Sequence, residues 1–195
     1  MKNFESLLLC HRDLINHLLT SNISESIENA IIQITKALSS RLPLLVMGNG
    51  GSASDAMHIA GELVGKFLRE RKALNVICLN SNTSVLTAWA NDYEYATIFS
   101  RQVEAHGVSG GVCLGISTSG NSANVINAFK QAKKMGMCTI GLTGMGGGQM
   151  SMLSDILIEA PSIETPRIQE IHILIYHYIC ERVEIMLDTN KLNKE

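Results

Sequence analysis

The chain has 195 residues and a mass of 21.2 kDa, the size of one domain. Hydrophobic residues make up 46% and charged residues 17%, which excludes a disordered chain. A net charge of −2 leaves no basic field for nucleic acid or an anionic membrane surface, and no apolar run nears the roughly 18 residues of a membrane span.

The first 40 residues lack glycine and proline and carry apolar residues at helical spacing. Phe4, Leu7, Leu8, Ile15, Leu18 and Leu19 mark one helix, and Ile23, Ile27, Ile31, Ile34 and Leu38 a second. The run Leu7-Leu8-Leu9-Cys10 is too short for the core of a signal peptide. Beyond residue 40 the pattern changes to short apolar runs, predicted as strands at Leu42–Met47, Leu74–Leu79, Val112–Ile116, Cys138–Leu142 and Ile156–Ile158. Helical stretches lie between them at 53–68, about 83–106, 121–135 and, briefly, 148–153, and a long helix closes the chain at about 166–188. Strands that are apolar throughout and alternate with helices predict an α/β fold: a parallel five-stranded sheet covered on both faces, a three-layer α/β/α sandwich. The expected organisation is one domain, 1–195, with an N-terminal helical pair (1–40) and an α/β core (41–195). The five cysteines are odd in number and never spaced as CxxC, so they read as reduced thiols in a cytoplasmic protein. The low charge at this size points to surface hidden in an oligomer.

In such sheets ligands bind beyond the carboxyl ends of the strands. The first strand runs into Gly48-Asn49-Gly50-Gly51-Ser52-Ala53-Ser54-Asp55. Glycines let backbone N–H groups of Asn49, Gly50, Gly51 and Ser52 approach an anion at the start of the next helix. A tight turn with Ser52 as N-cap and Asp55 three residues on accounts for the same letters. The match to G-x-G-x-x-A does not make a dinucleotide site, because the second strand ends Cys78-Leu79-Asn80 with no acidic residue. The third strand ends in Ser117-Thr118-Ser119-Gly120-Asn121-Ser122, five hydroxyl or amide side chains in six positions. Capping one helix needs one of them, so the run reads as an anion site built by Ser117, Thr118, Ser119 and Ser122. Thr143–Gly148 reads as a connecting loop.

Among titratable residues, His58 and Glu62 stand at i and i+4 and share a helix face; a surface pair explains that spacing too. On the last helix Gln169 and His177 are about 80° apart and His172 and His177 about 140°, so spacing does not choose between the histidines. Asn91-Asp92 falls where a helical stretch breaks, as a sugar-hydroxyl binder or an ordinary turn. His11, His17 and His106 read as structural, and Met135, Met137, Met145, Met150 and Met152 as packing residues.

Taken together, Gly48-Asn49-Gly50-Gly51-Ser52, Asp55-Ala56-Met57-His58, Asn91-Asp92, Leu114–Ser122 and Arg167-Ile168-Gln169-Glu170-Ile171-His172 resemble the phosphoheptose isomerases of the sugar isomerase domain family, over nearly the whole chain. The resemblance implies a flavodoxin-like sheet that binds a phosphosugar. It implies conversion of sedoheptulose 7-phosphate to D-glycero-D-manno-heptose 7-phosphate, the first step of bacterial heptose biosynthesis for surface glycans. It implies a cytoplasmic homotetramer with active sites between subunits and one zinc per subunit held by His58, Glu62, Gln169 and His177. Glu62 and His177 take the catalytic roles, while Asn49, Gly50, Gly51, Ser52, Asn91, Asp92, Ser117, Thr118, Ser119, Ser122 and Gln169 bind substrate. His172 then falls behind the site. Two positions depart from the family: Pro166 where some members carry an acidic residue, and Ser54 where others carry a larger polar one. A non-catalytic domain that binds a phosphosugar or docks on a protein is the competing expectation; it has no need of Glu62 together with His177.

Overall fold

The structure is a computed structural model and describes residues 3–192. Asn3 caps the first helix, its side chain accepting from the Ser6 N–H at 2.8 Å. Helix α1 (Phe4–Thr20) and helix α2 (Ile23–Ser39) form the expected pair. They differ in burial. Helix α2 seats Ala30, Ile31, Ile34, Ala37 and Leu38 in the core, whereas α1 buries no residue at all.

The five predicted strands form with small shifts at their ends: β1 (Leu44–Gly48), β2 (Val76–Cys78), β3 (Val112–Ser117), β4 (Cys138–Thr143) and β5 (Ile156–Glu159). All pairs are parallel, in the order β2-β1-β3-β4-β5. This is the flavodoxin-like order, and the chain turns to opposite sides after β1 and β3, leaving a crevice at their carboxyl ends. Helices α3 (Gly51–Val64) and α7 (Thr165–Leu192) join α2 on one face; α5 (Ile98–His106) and α6 (Ala123–Lys134) cover the other. Strand β1 shows the division. Leu44 and Val46 pack with α2, α3 and α7, and Leu45 and Met47 pack with α5 and α6.

The helical expectations are revised in four places. The stretch 83–106 is not one helix: α4 (Thr83–Asp92) stops at Tyr93, a 3-10 turn follows at Tyr95–Thr97, and α5 begins at Ile98. No glycine or proline marks this break, so periodicity ran through it. Across the break the Trp89 indole N–H donates to Thr97 Oγ1 at 2.8 Å. The helix expected over 53–68 begins earlier, with Gly50 as its N-cap rather than Ser52, and ends at Val64. The segment at 148–153 is a 3-10 turn, Gly148–Met152. Pro166 is the second residue of its helix, one place later than expected. Met137 and Met150 pack as expected, but Met145 and Met152 are exposed.

The chain after Val64 is tied back by an ion pair. Arg71 Nε donates to Glu184 Oε1 at 2.9 Å, with both side chains almost fully buried. The same carboxylate accepts the backbone N–H groups of Phe67, Leu68 and Arg69. Burial alone would raise the Glu184 pKa, but these donors and Arg71 hold it below the usual carboxylate value. Arg71 also donates to the carbonyls of Glu62 and Gly65, at 2.7 and 3.2 Å, capping the end of α3.

His172 lies in the core with no exposed surface, its Nε2–H donating to the Thr143 carbonyl at 3.0 Å. Burial lowers its pKa to about 4. As pH falls below the unfolded-state value of about 6.5, the unfolded chain takes up a proton that the folded one refuses until about pH 4. Stability should therefore drop through that window, by about 3 kcal/mol in total at about 1.4 kcal/mol per pH unit. Denaturant titrations at pH 7 and pH 5 check this: His172→Gln should flatten the pH dependence, and a slope equal to wild type would contradict it.

Candidate active site

Both predicted anion loops open at the crevice between β1 and β3. The first leaves β1 at Gly48 and turns at Gly50, whose φ of +56° suits glycine, directly into α3. No side chain caps this helix, and Ser52 is buried in its first turn. The Asn49 side chain is bonded internally. Its amide exchanges two hydrogen bonds with buried Asn124, at 2.9 and 2.8 Å, and its oxygen accepts from the Tyr95 hydroxyl at 3.0 Å. Asn80 does similar work below, bonding both backbone groups of Gly48.

The second loop leaves β3 at Ser117. The hydroxyls of Ser117 and Ser122 lie 2.9 Å apart, and Ser122, the N-cap of α6, makes no side-chain capping bond. Ser119 Oγ accepts from the Asn121 N–H. The third loop, read from sequence as a plain connection, is locked onto this one. A Cβ on Gly120, at φ +64°, would sit 2.0 Å from the Gly147 carbonyl oxygen. The Gly144 N–H donates to the Thr118 carbonyl, and the Met150 N–H to that of Gly120. The glycines here permit close approach of two backbones.

The titratable groups converge on the paired faces of α3 and α7. His58 Nε2 lies 2.9 Å from Glu62 Oε1 and 3.5 Å from His177 Nε2. The ligand-type atoms of these three residues all fall within 4.8 Å of one another. A tetrahedral zinc with bonds of about 2.0–2.1 Å would hold its ligand atoms about 3.3 Å apart, so the cluster fits such an ion. The fourth proposed ligand, Gln169, lies two turns earlier on α7, where its amide packs on Gly51: a Cβ there would meet Gln169 Nε2 at 2.4 Å. The Phe67 ring, on the loop pinned by Glu184, stacks on His177 at 5.7 Å and 19°. His58 is also held from behind, with Nδ1 3.0 Å from the hydroxyl of Tyr176, a residue 2% exposed. That hydroxyl donates to Asp55 Oδ1 at 3.4 Å. Burial raises the Asp55 pKa, against the opposing effects of Tyr176 and His58.

Asn91 and Asp92 are exposed at the end of α4, where Asn91 Nδ2 donates to Asp92 Oδ1 at 2.8 Å. His172 is a core residue and His11 is structural, the latter pairing with Glu170 at 2.6 Å to tie α1 to α7. Sequence reasoning missed Tyr176, Asn124, Tyr95 and Asn80, and it met Asp55 only in a capping pattern and as part of a family motif. A buried tyrosine at helical spacing carries no signal of its own; only the partner across the core gives it a role.

Sequence comparison matches residues 12–144 to the SIS domain. A phosphoheptose isomerase from Helicobacter pylori is 47% identical over 176 residues, spanning 90% of this chain and 91% of that protein. Among solved structures, the phosphoheptose isomerase from Francisella tularensis superposes with a TM-score of 0.88 at 31% identity, covering 92% of this chain and 95% of that one. The phosphoheptose isomerase from Neisseria gonorrhoeae gives 0.84 at 38% identity, covering 92% and 97%.

Proposed function

The chain belongs to the SIS-domain family and, within it, to the phosphoheptose isomerases, and on that premise we propose that it interconverts sedoheptulose 7-phosphate and D-glycero-D-manno-heptose 7-phosphate. The observation that carries this reading is the meeting of Glu62 with two imidazoles, His58 and His177, on the helix that the first anion loop opens. Aldose–ketose isomerisation needs a base that moves a proton between C1 and C2, and a partner acid or base for the oxygens. His58 and Glu62 follow Ser52 by about 9 and 15 Å of helix at 1.5 Å per residue, with side chains leaning back toward its start. An extended seven-carbon chain can place its phosphate at the loops and its C1 and C2 at these residues. Ser52, Ser117, Thr118, Ser119 and Ser122, with the backbone of Asn49, Gly50 and Gly51, hold the phosphate through hydroxyl and N–H donors.

We assign zinc to His58, Glu62 and His177, with Gln169 as the fourth ligand that the family implies. Bound zinc supplies Lewis-acid polarisation of the sugar oxygens. Glu62 turns Oε1 toward His58, leaving Oε2 to carry the proton. His177, backed by Phe67, serves the carbonyl and hydroxyl oxygens as the partner acid or base.

Helix α1 exposes Phe4, Leu8, Leu9, Ile15 and Leu19, and α7 exposes Leu174 and Tyr178. Apolar surface on this scale supports a homotetramer, with sites completed between subunits where Asn91 and Asp92 would meet the sugar. Five free cysteines support a cytoplasmic enzyme, placed at the start of heptose synthesis for bacterial surface glycans.

Incubation of the protein with sedoheptulose 7-phosphate in deuterium oxide, followed by NMR, should show the aldose product and exchange of the C1 proton. Absence of exchange would replace the enzyme with a phosphosugar-binding module. Glu62→Gln and His177→Gln should each lower kcat by about 100-fold or more; a variant with near-normal kcat would refute the assigned chemistry. Replacing Ser119 and Ser122 together by alanine should raise KM, each neutral hydrogen bond being worth about 0.5–1.5 kcal/mol. An unchanged KM would remove these residues from the phosphate site. Light scattering at micromolar concentration should give four subunits, and a monomer would sink the assembly.

A further inference from the structure

We propose that Asn124 is a positioning residue for the phosphosugar: its buried amide clamps the Asn49 side chain, so that Asn49 keeps one amide N–H for an oxygen of the ligand. The inference rests on the phosphosugar reading above and concerns how the first loop is held for it. Asn49 follows Gly48 at the end of β1 and is half-buried. Asn124 is the second residue of α6, two places after Ser122, and is 2% exposed. Their side chains join the first loop to the helix that the second loop opens. Asn49 Nδ2 donates to Asn124 Oδ1 at 2.9 Å, and Asn124 Nδ2 donates to Asn49 Oδ1 at 2.8 Å.

Which way each amide points is decided by a group that can only donate. The Val125 N–H lies in the first turn of α6, where a helix offers no carbonyl of its own, and it donates to Asn124 Oδ1 at 3.0 Å. This fixes the Asn124 oxygen and turns its nitrogen toward Asn49. Asn49 must answer with its oxygen, which also accepts from the Tyr95 hydroxyl at 3.0 Å. An amide oxygen accepts two hydrogen bonds and an amide nitrogen donates two. Both oxygens of the pair are therefore filled, while Asn49 Nδ2 has used one proton of two. The second proton is what this half-buried side chain has left to offer. An unclamped asparagine would present its oxygen as readily as its nitrogen, and an oxygen turned toward a phosphate repels it. The clamp removes that orientation, and the rotamer freedom of Asn49 is lost on folding instead of on binding. It also accounts for a polar side chain at Asn124, because a buried amide is costly unless its partners are in place.

The test is a double-mutant cycle on Asn49→Ala and Asn124→Ala, read as the dissociation constant of sedoheptulose 7-phosphate by equilibrium dialysis, with KM and kcat beside it. Each single variant should weaken binding about 5- to 10-fold. KM should rise in step and kcat should change less, the mark of an interaction made in the ground state as well as the transition state. If Asn124 acts through Asn49, the double variant binds no worse than Asn49→Ala alone. A purely structural Asn124 would instead weaken binding again in the Asn49→Ala background. Tyr95→Phe removes one hydroxyl from an exposed residue and tests the same clamp without opening the core; it should weaken binding about 2- to 3-fold, and not at all in the Asn49→Ala background. Wild-type affinity in Asn124→Ala, or effects that multiply in the double variant, would overturn the proposal. A wild type that binds the sugar phosphate without isomerising it overturns the enzyme reading, and the same ratios of dissociation constants still decide the clamp. A wild type that does not bind it overturns both.

Discussion

The parallel run of α3 and α7 across one face of the sheet is the constraint on which the site depends. His58 and Glu62 lie on the first helix and His177 on the other, far apart in sequence, so their meeting requires the two helices to keep a fixed register. The buried Glu184–Arg71 pair sets it. Glu184 lies two turns beyond His177, and Arg71 reaches from the loop back to the Glu62 carbonyl. Two charges buried together repay their desolvation only when every remaining lone pair and proton finds a partner. Here three backbone N–H groups and three carbonyls, those of Glu62, Gly65 and Lys72, are the further partners.

That arrangement also explains why the core splits so unevenly. The face carrying α2, α3 and α7 holds the His58–Glu62–His177 cluster and the buried polar groups Asp55, His172 and Glu184. The opposite face is closed by Phe99, Phe129, Ile98 and Val125 with few polar interruptions. One side of the sheet is packed for stiffness, and the other is packed around polar groups whose partners are specified one by one.

Much of this was legible in the sequence because it obeys local rules. Apolar strands alternating with helices give the sheet, and the Ser-Thr-Ser-Gly-Asn-Ser run stands out because capping cannot account for it. His58 and Glu62 share a face by spacing alone, but the choice of His177 over His172 needed the family likeness. In the structure His177 lies beside His58 and Glu62, whereas His172 faces the core and bonds the end of β4. Illegible features were those made by distant partners. The Trp89–Thr97 bond spans the break after α4, and Tyr176 meets Asp55 and His58 across the interior. Neither leaves a periodic trace. Ser52 misled as an N-cap because its neighbour Gly50 takes that place through a backbone conformation that letters do not record.

The interlocking of the two glycine-bearing loops has a further consequence. Gly120 and Gly147 meet with no room for a side chain between them, and backbone bonds join the ends of β3 and β4 through the same contact. Loops linked in this way do not open and close separately. Their conformational entropy is lost once, when the chain folds, and not again with each arriving anion. An anion docking there would meet donors already aimed, with little deducted for ordering the backbone, and neither loop contains a lysine or arginine.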